Sequence, residues 1–514
     1  MQPTAATETV YAAFERTARA HADNPFLHVP ASALPGACEP LELRYAEALA
    51  QVDEVAARYR ARGYGAGHRV ALDLGNRPQF LIHFFALNAL GASVVPLNPD
   101  YRPTELEYVL GHSEACFKVE PTMLEGEFDP PTAPPPGTAR ECALLYTSGT
   151  TGRPKGCLLS NFYFLNAGRR YVTEGGLCEV REGAERLITP LPLFHMNALA
   201  VSTTAMILVA GCVVQLDRFH PQTWWRDVTD SKATIVHYLG VIPAILLAQE
   251  PGPYDRTHRV RFGFGANVNP KDHGAFETRF GFPLIEAWAM TETGGGAVLA
   301  ASREPRHVGA RCIGAPRDGL ELRIVDEQGD DVAEGEAGEL LVRRAGPEPR
   351  RGFFSGYLKD DAATEAAWLG GWFHTGDAVR RGPDGMAHFV DRRKNIIRRA
   401  GENIAALEVE AALAGHAAIG QVAVTAVPDE LRDEEVAAFV VLNDGAPRTH
   451  ATAASIQDWC LERLAYFKAP GYVTFIDTLP VTSTNKVRKA KLVDFNFDTA
   501  NRHDLRERKR RPGA

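Results

Sequence analysis

The stretch Tyr146-Thr-Ser-Gly-Thr-Thr-Gly-Arg-Pro-Lys-Gly156 decides how the rest of the sequence is read. It continues a short apolar run, Cys142-Ala-Leu-Leu-Tyr146, which reads as a buried strand. Gly149, Gly152 and Gly156 permit tight turns and let backbone N–H groups face an anion. Thr147, Ser148, Thr150 and Thr151 add hydroxyl donors, and Lys155 adds a positive charge. An ordinary polar surface loop needs only turn residues. So dense a set of glycines and hydroxyls with a lysine, fed by a buried strand, points to a grip for a nucleotide triphosphate. It is not a Walker A loop, which ends in Gly-Lys-Ser/Thr. Here Arg153 and Pro154 separate Gly152 from Lys155, and Gly156 follows.

Outward from this loop the chain alternates helical and strand patterns. Val10, Ala13, Phe14 and Ala18 recur at helical spacing, as do Tyr45, Leu49, Val52, Ala56 and Tyr59. Residues 70–74 and 92–97 read as buried strands with a helix over Phe80–Leu87 between them, a βαβ pattern. The Pro-rich stretch 129–136 interrupts as a surface linker, in a region between Leu110 and the loop that looks short. More βα alternation runs from about Leu187 to Phe280, and residues 320–345 read as strands of a small β subdomain. Asp391-Arg-Arg-Lys-Asn395 looks like a boundary. Beyond it lie a helix over 404–414, strands over 421–427 and 435–442, a helix over 452–465 and a strand over 472–477. The fold class is α/β: a large N-terminal domain of βα-layered subdomains plus a small β subdomain (1–391), a hinge (392–395), a small mobile α+β C-terminal domain (396–495) and a basic tail (496–514).

Composition restricts the function classes. At 514 residues the chain exceeds one core. The formal charge of −8 is spread over both signs, which argues against nucleic-acid binding through the bulk of the chain. The exception is Arg506-Glu-Arg-Lys-Arg-Arg511, for which a frayed, solvated terminus is the simplest expectation. The eight cysteines form no CxxC pair, so neither a zinc knuckle nor a dithiol redox site is indicated. They read as reduced thiols. No signal peptide and no run of ~18 apolar residues is apparent, so a cytoplasmic protein without an integral membrane segment is expected.

The loop resembles the phosphate-binding signature of the adenylate-forming superfamily, which includes acyl-CoA synthetases, adenylation domains of peptide synthetases and firefly luciferases. Further motifs follow in the family's order. Glu286-Ala-Trp-Ala-Met-Thr-Glu-Thr293 resembles the family's aromatic-Gly-Met-Thr-Glu segment, with Trp288 for the usual Tyr and Ala289 for the usual Gly. The resemblance implies that Trp288 stacks on adenine, Thr291 contacts the α-phosphate, and Glu292 holds Mg²⁺ with Thr147. Gly371-Trp-Phe-His-Thr-Gly-Asp377 matches the segment whose aspartate binds the ribose hydroxyls, and Arg392 stands at a second ribose contact. Lys486, preceded by Asn485 where the family has Gly, matches the C-terminal catalytic lysine; Lys489 and Lys491 are nearby competitors. His195 and Asn197, in Pro192-Leu-Phe-His-Met-Asn197, resemble acyl-pocket wall, with His237 and Tyr238 as further wall. Gly265, Ala266 and Asn267 resemble the loop between that pocket and adenine.

By this resemblance the chain uses ATP, Mg²⁺ and coenzyme A to turn a small-molecule carboxylic acid into an acyl-adenylate and then a thioester. Ser148, Gly149, Thr150, Thr151, Gly152 and Lys155 are its phosphate contacts. The C-terminal domain is implied to rotate between the steps about Lys394, with Arg398, Arg399 and Gly401 on the face that meets the thiol, where the two arginines could pair with coenzyme A phosphates. The segments 398–404 and 484–489 most resemble crotonobetaine/carnitine-CoA ligase-like members. A homodimer is left open. Two alternatives stand: an adenylation enzyme loading a carrier protein, for which no ammonium-binding aspartate or carrier domain is evident, and a non-catalytic nucleotide-binding protein.

Overall fold

The computed structural model describes residues 8–34, 36–99, 101, 103–124, 128–134, 141–147, 154–392, 395–399, 402–429, 433–464, 466–481, 487–495 and 501–509. The chain divides into two compact units. One comprises residues 1–268, 272–322 and 342–374; the other comprises 269–271, 323–341 and 375–514.

The first unit holds two sheets. The larger has eight strands in the order Leu299–Ala300, Leu284–Trp288, Phe262–Ala266, Ile235–Leu239, Arg186–Thr189, Cys212–Gln215, Pro25–Val29 and Leu41–Arg44. Neighbours in its interior run parallel, and each edge strand pairs antiparallel. Parallel strands buried on both faces need near-continuous apolar runs, and Cys212–Gln215 is buried at every position. The second sheet has six strands, in the order Gly356–Tyr357, Lys155–Ser160, Glu141–Thr147, Ser93–Pro96, Arg69–Leu72 and Phe117–Val119. The helices expected near the N-terminus are present as Val10–Ala20, Tyr45–Ala61 and Pro78–Ala89. The first and third meet through Phe14 and Phe85, whose rings stack at 4.5 Å.

In the second unit, Phe373–Arg381 and Ala387–Arg392 form a hairpin that pairs Asp377 with Arg392. Beyond it stands a sheet of Glu402–Ala405, Ile396–Arg399, Asp433–Leu442, Tyr472–Phe475 and Arg502–Asp504, with Ile419–Asp429 on Asp433–Leu442. Helices Ala406–Leu413 and His450–Leu461 cover it through a core that includes Ile397, Ile404, Val409, Leu413, Val436, Ile456 and Val473.

The tail departs from the expectation of a frayed end. Over residues 501–509 it adds the edge strand Arg502–Asp504 and buries Leu505, and Arg506, Arg508 and Lys509 each pair with a carboxylate. All eight cysteines are free thiols, six of them buried. Among the described residues, no helix is long and apolar enough to cross a membrane.

Candidate active site

Strands Glu141–Thr147 and Lys155–Ser160 run antiparallel and bring Thr147 opposite Lys155. The signature is therefore flanked by two antiparallel strands, whereas the P-loop runs from a strand into a helix. Of the expected phosphate contacts, Ser148, Gly149, Thr150, Thr151 and Gly152 lie outside the described residues, as do Lys394, Gly401 and Lys486; the side chain of Arg398 does as well.

Lys155 Nζ lies 3.2 Å from Asp360 Oδ2 and 4.8 Å from the centre of the Tyr357 ring. Tyr357 sits on the neighbouring strand, paired with Cys157, and its hydroxyl donates to Glu292 Oε1 at 3.0 Å. The Cys157 thiol in turn interacts with both Thr147 and Glu292. A cation, an aromatic hydroxyl, a threonine and a nearly buried carboxylate are thus gathered at one end of the six-stranded sheet. Burial, then the Glu292 charge, holds the Tyr357 phenol well above its ordinary range, so it stays a donor at neutral pH. Asp360 is lowered by the Ala363 N–H and by Lys155, and it caps helix Asp361–Ala367. Sequence reasoning missed Tyr357 and Asp360. They are remote from the loop in sequence, and only strand pairing brings them to it.

The turn carrying Thr291 and Glu292 follows strand Leu284–Trp288 and is locked from several sides. Tyr163 Oη donates to Thr291 O at 2.7 Å, Thr293 Oγ1 accepts from Met290 N at 2.9 Å, and Phe354 N donates to Glu292 O at 2.9 Å. Trp288, at the carboxyl end of its strand, is 5% exposed. Open α/β sheets bind ligands at the carboxyl ends of their strands, and Gly265 and Ala266 lie at the same end of strand Phe262–Ala266. Asn267 follows with φ +65°, a left-handed conformation that asparagine tolerates. Glu286 holds this turn, with one oxygen accepting from Asn267 N at 2.9 Å and the other from Val268 N at 2.6 Å. Burial pushes Glu286 up to about 7 against the pull of those two donors.

His195 and Asn197 begin a segment that winds as a π-helix over Asn197–Thr203, a distortion frequent at functional sites. Asn76 fixes the preceding loop, donating to Leu191 O at 3.0 Å and accepting from Leu193 N at 2.8 Å. His195 packs its ring on Phe194 at 4.6 Å. Asn197 Oδ1 lies 2.9 Å from His237 Nδ1, which also meets Ser202 Oγ at 2.9 Å; His237 Nε2 meets Tyr171 Oη at 2.9 Å. His237 is fully buried, and burial lowers it to about 3, so the ring is neutral. Tyr238 is also buried, and its hydroxyl donates to Ile285 O at 3.1 Å.

In the second unit, Asp377 is buried and Arg392 Nε lies 2.7 Å from its Oδ1. Gly376, with φ +66°, turns the strand just before it, and Asp377 N donates to Thr375 Oγ1 at 3.1 Å. Asp391, at the expected hinge, accepts from Arg392 N, Asn395 Nδ2 and Leu407 N at 2.7, 3.1 and 2.9 Å. Lys489, a competitor of Lys486, is paired with Glu410 at 2.8 Å. Arg399 directs its guanidinium to Glu435, at 2.8 Å.

The chain matches known proteins over most of its length. Residues 14–129 and 118–358 match the AMP-binding enzyme family, and residues 408–486 match the AMP-binding enzyme C-terminal domain. The chain is 30% identical over 489 residues to a crotonobetaine/carnitine–CoA ligase of Salmonella arizonae, covering 87% of this chain and 92% of the relative. It is 29% identical to the Proteus mirabilis protein of the same name over 88% of this chain and 93% of that one. Among solved structures, o-succinylbenzoate CoA synthetase of Bacillus subtilis in complex with its acyl-adenylate has a TM-score of 0.80 at 23% identity, covering 94% and 98% of the two chains. The anthranilate CoA ligase AuaEII in complex with anthranoyl-AMP has a TM-score of 0.82 at 22% identity, covering 97% and 99%. With family matches spanning most of its length and both of its units, the chain belongs to the AMP-binding enzyme family.

Proposed function

We propose that the chain is an ATP-dependent carboxylate–CoA ligase, an acyl-CoA synthetase working in two half-reactions. A substrate carboxylate oxygen attacks the α-phosphorus of ATP, and the bond to the β-phosphate bridging oxygen breaks to release pyrophosphate. The sulfur of coenzyme A then attacks the acyl carbonyl, and AMP leaves with the electron pair of the mixed anhydride. No nucleophile from the protein is needed.

The observation that carries this reading is the gathering of Lys155, Tyr357, Thr147 and Glu292 at one sheet end. Lys155 and the loop 148–152 take the phosphates, and Lys155 must exchange its Asp360 contact for phosphate oxygen when they bind. Glu292 and Thr147 fit Mg²⁺, since hard oxygen donors suit a hard cation and Glu292 already has one oxygen oriented by Tyr357. The ion, when bound, neutralises phosphate charge. Thr291 contacts the α-phosphate, Trp288 takes adenine, and Asp377 with Arg392 takes the ribose hydroxyls. His195 and Asn197 face the acyl group, with His237 and Tyr238 supporting them from within the sheet. Lys486 neutralises charge at the attacking carboxylate, and the hairpin 396–405 faces the thiol. Similarity to crotonobetaine/carnitine–CoA ligases over 87–88% of the chain supports free coenzyme A as the acceptor and a small polar acid as the substrate.

A panel of carboxylic acids assayed for acid-dependent AMP and pyrophosphate release, with and without coenzyme A, tests the reading. One or more short polar acids should give AMP release that rises when coenzyme A is added. No release with any acid, or release indifferent to coenzyme A, would sink it.

A further inference from the structure

The basic run Arg506-Glu-Arg-Lys-Arg-Arg511 has no part in the reaction above, yet its described portion is folded into the second unit. Strand Arg502–Asp504 pairs antiparallel with Tyr472–Phe475, and Leu505 N donates to Gly471 O at 2.8 Å. Arg506 pairs with Asp504 at 2.7 Å and with Asp429 at 3.0 Å, and Arg508 pairs with Asp458 at 2.6 Å. Lys509 then turns inward. Its ammonium is fully buried, lies 2.6 Å from Glu435 Oε1, and donates to Phe467 O at 3.1 Å. Glu435 is buried as well, and its second oxygen accepts from Arg399 Nε at 2.8 Å.

A buried charge is retained only where opposite charge and hydrogen bonds answer it. Here a single carboxylate answers two cations, Arg399 and Lys509, that lie far apart in the sequence. Burial pulls the Lys509 ammonium down to about 8, and Glu435 opposes that fall. The packing is built around the carboxylate: a Cβ at position 471 would lie 2.5 Å from Glu435 Cδ and Cγ, so Gly471 leaves it room. Arg399 closes the first strand of the hairpin Ile396–Arg399/Glu402–Ala405, pairing with Glu402 across it and with Asp433 on the next strand.

We propose that Lys509 is a positioning residue: through Glu435 and Arg399 the C-terminal tail clamps the end of strand Ile396–Arg399, and so supports acceptance of the thiol rather than formation of the adenylate. The functional half of this rests on the reading of that hairpin as the face that meets coenzyme A. The clamp itself rests only on the geometry. Lys509→Met is the suitable variant because Arg399 and Glu435 then remain a balanced pair.

In the full chain, amide hydrogen exchange over 396–405 is compared with exchange over the central strand 436–440. Lys509→Met is expected to speed exchange in the hairpin at least fivefold and to leave the strand unchanged. With an acid that supports turnover, thioester formation should fall about tenfold while pyrophosphate release without coenzyme A stays within twofold. Arg508→Met, which removes a neighbouring cation paired at the surface, should change neither. Unchanged hairpin exchange, or equal loss in both half-reactions, overturns the clamp. Should Lys509→Met fail to fold, Lys509→Gln, which keeps a donor toward Glu435, carries the same comparison. Failure of the ligase reading would show separately, as no acid-dependent pyrophosphate release from the unaltered protein, and the exchange result would still decide the clamp.

Discussion

At the scale of single residues, Tyr357 joins the two flanks of the proposed phosphate site. Its ring underlies Lys155 and its hydroxyl orients Glu292, so one residue ties the cation to the carboxylate. Tyr357→Phe keeps the ring and removes a hydrogen bond to a charged group, worth roughly 1.5–3 kcal/mol. ATP affinity in the presence of Mg²⁺, measured by calorimetry, should weaken about ten- to hundredfold, since each 1.4 kcal/mol is a factor of about ten. Without Mg²⁺ the two proteins should bind ATP alike. Tyr357→Leu also removes the cation–π contact, worth about 0.5–2 kcal/mol, and should weaken binding further under both conditions. Equal affinities in the unaltered protein and Tyr357→Phe with Mg²⁺ would remove Tyr357 from the site. Nothing in the sequence flagged this tyrosine, because its role arises from pairing with Cys157 across two strands that lie about 200 residues apart.

At the scale of elements, the close approach of strands Ile235–Leu239 and Phe262–Ala266 depends on missing side chains. A Cβ at Gly265 would lie 2.2 Å from Tyr238 O, and one at Gly240 would lie 1.7 Å from Asn267 O. Gly265→Ala should therefore cost roughly 1–3 kcal/mol or more, read as a lower thermal midpoint together with weaker ATP binding. Gly274, within helix Pro270–Phe280, is the contrast: the nearest atom to its added Cβ is 3.8 Å away. Gly274→Ala should raise stability by about 0.5–1 kcal/mol through helix propensity. If both substitutions shifted the midpoint alike, the close-approach argument would fail. The elements themselves were largely legible. The helix expected over Phe80–Leu87 spans Pro78–Ala89, started by a proline at its first turn, and the strands expected over 70–74 and 92–97 span Arg69–Leu72 and Ser93–Pro96. The helix expected over 404–414 begins only at Ala406, because Ile404 and Ala405 pair back onto Ile397 and Ile396. Short apolar runs do not separate strand from helix by periodicity alone.

At the scale of the whole molecule, buried His237 and His83 weaken the fold in acid, while Glu286, pushed up to about 7 by burial, opposes them. His237 is lowered to about 3 and His83 to about 4, both mainly by burial. Each folded-state value lies below the ordinary 6.5, so the unfolded chain binds the extra proton first and stability falls as pH drops below about 6.5. At pH 5 each histidine should cost roughly 2 kcal/mol relative to pH 7.5. Denaturant unfolding at the two pH values should show the drop, and His237→Gln should shrink it by its share; an undiminished drop would sink the assignment. The two half-reactions separate in the same way: Lys486→Ala should stop adenylate formation yet spare thioester formation from supplied acyl-adenylate, and equal loss of both would contradict it. What the sequence alone determined was the α/β class, the family resemblance, and the identity of Thr147, Lys155, Glu292 and Asp377 as candidates, because these depend on local patterns and on motifs contiguous in the chain. Tertiary structure alone decided which groups meet: Tyr357 between Lys155 and Glu292, Glu286 on the Asn267 turn, His237 committed to Tyr171, Ser202 and Asn197, and Lys509 inside the second unit rather than in solvent. Charge and polarity along a chain say that a partner is required, and strand order and packing choose which one.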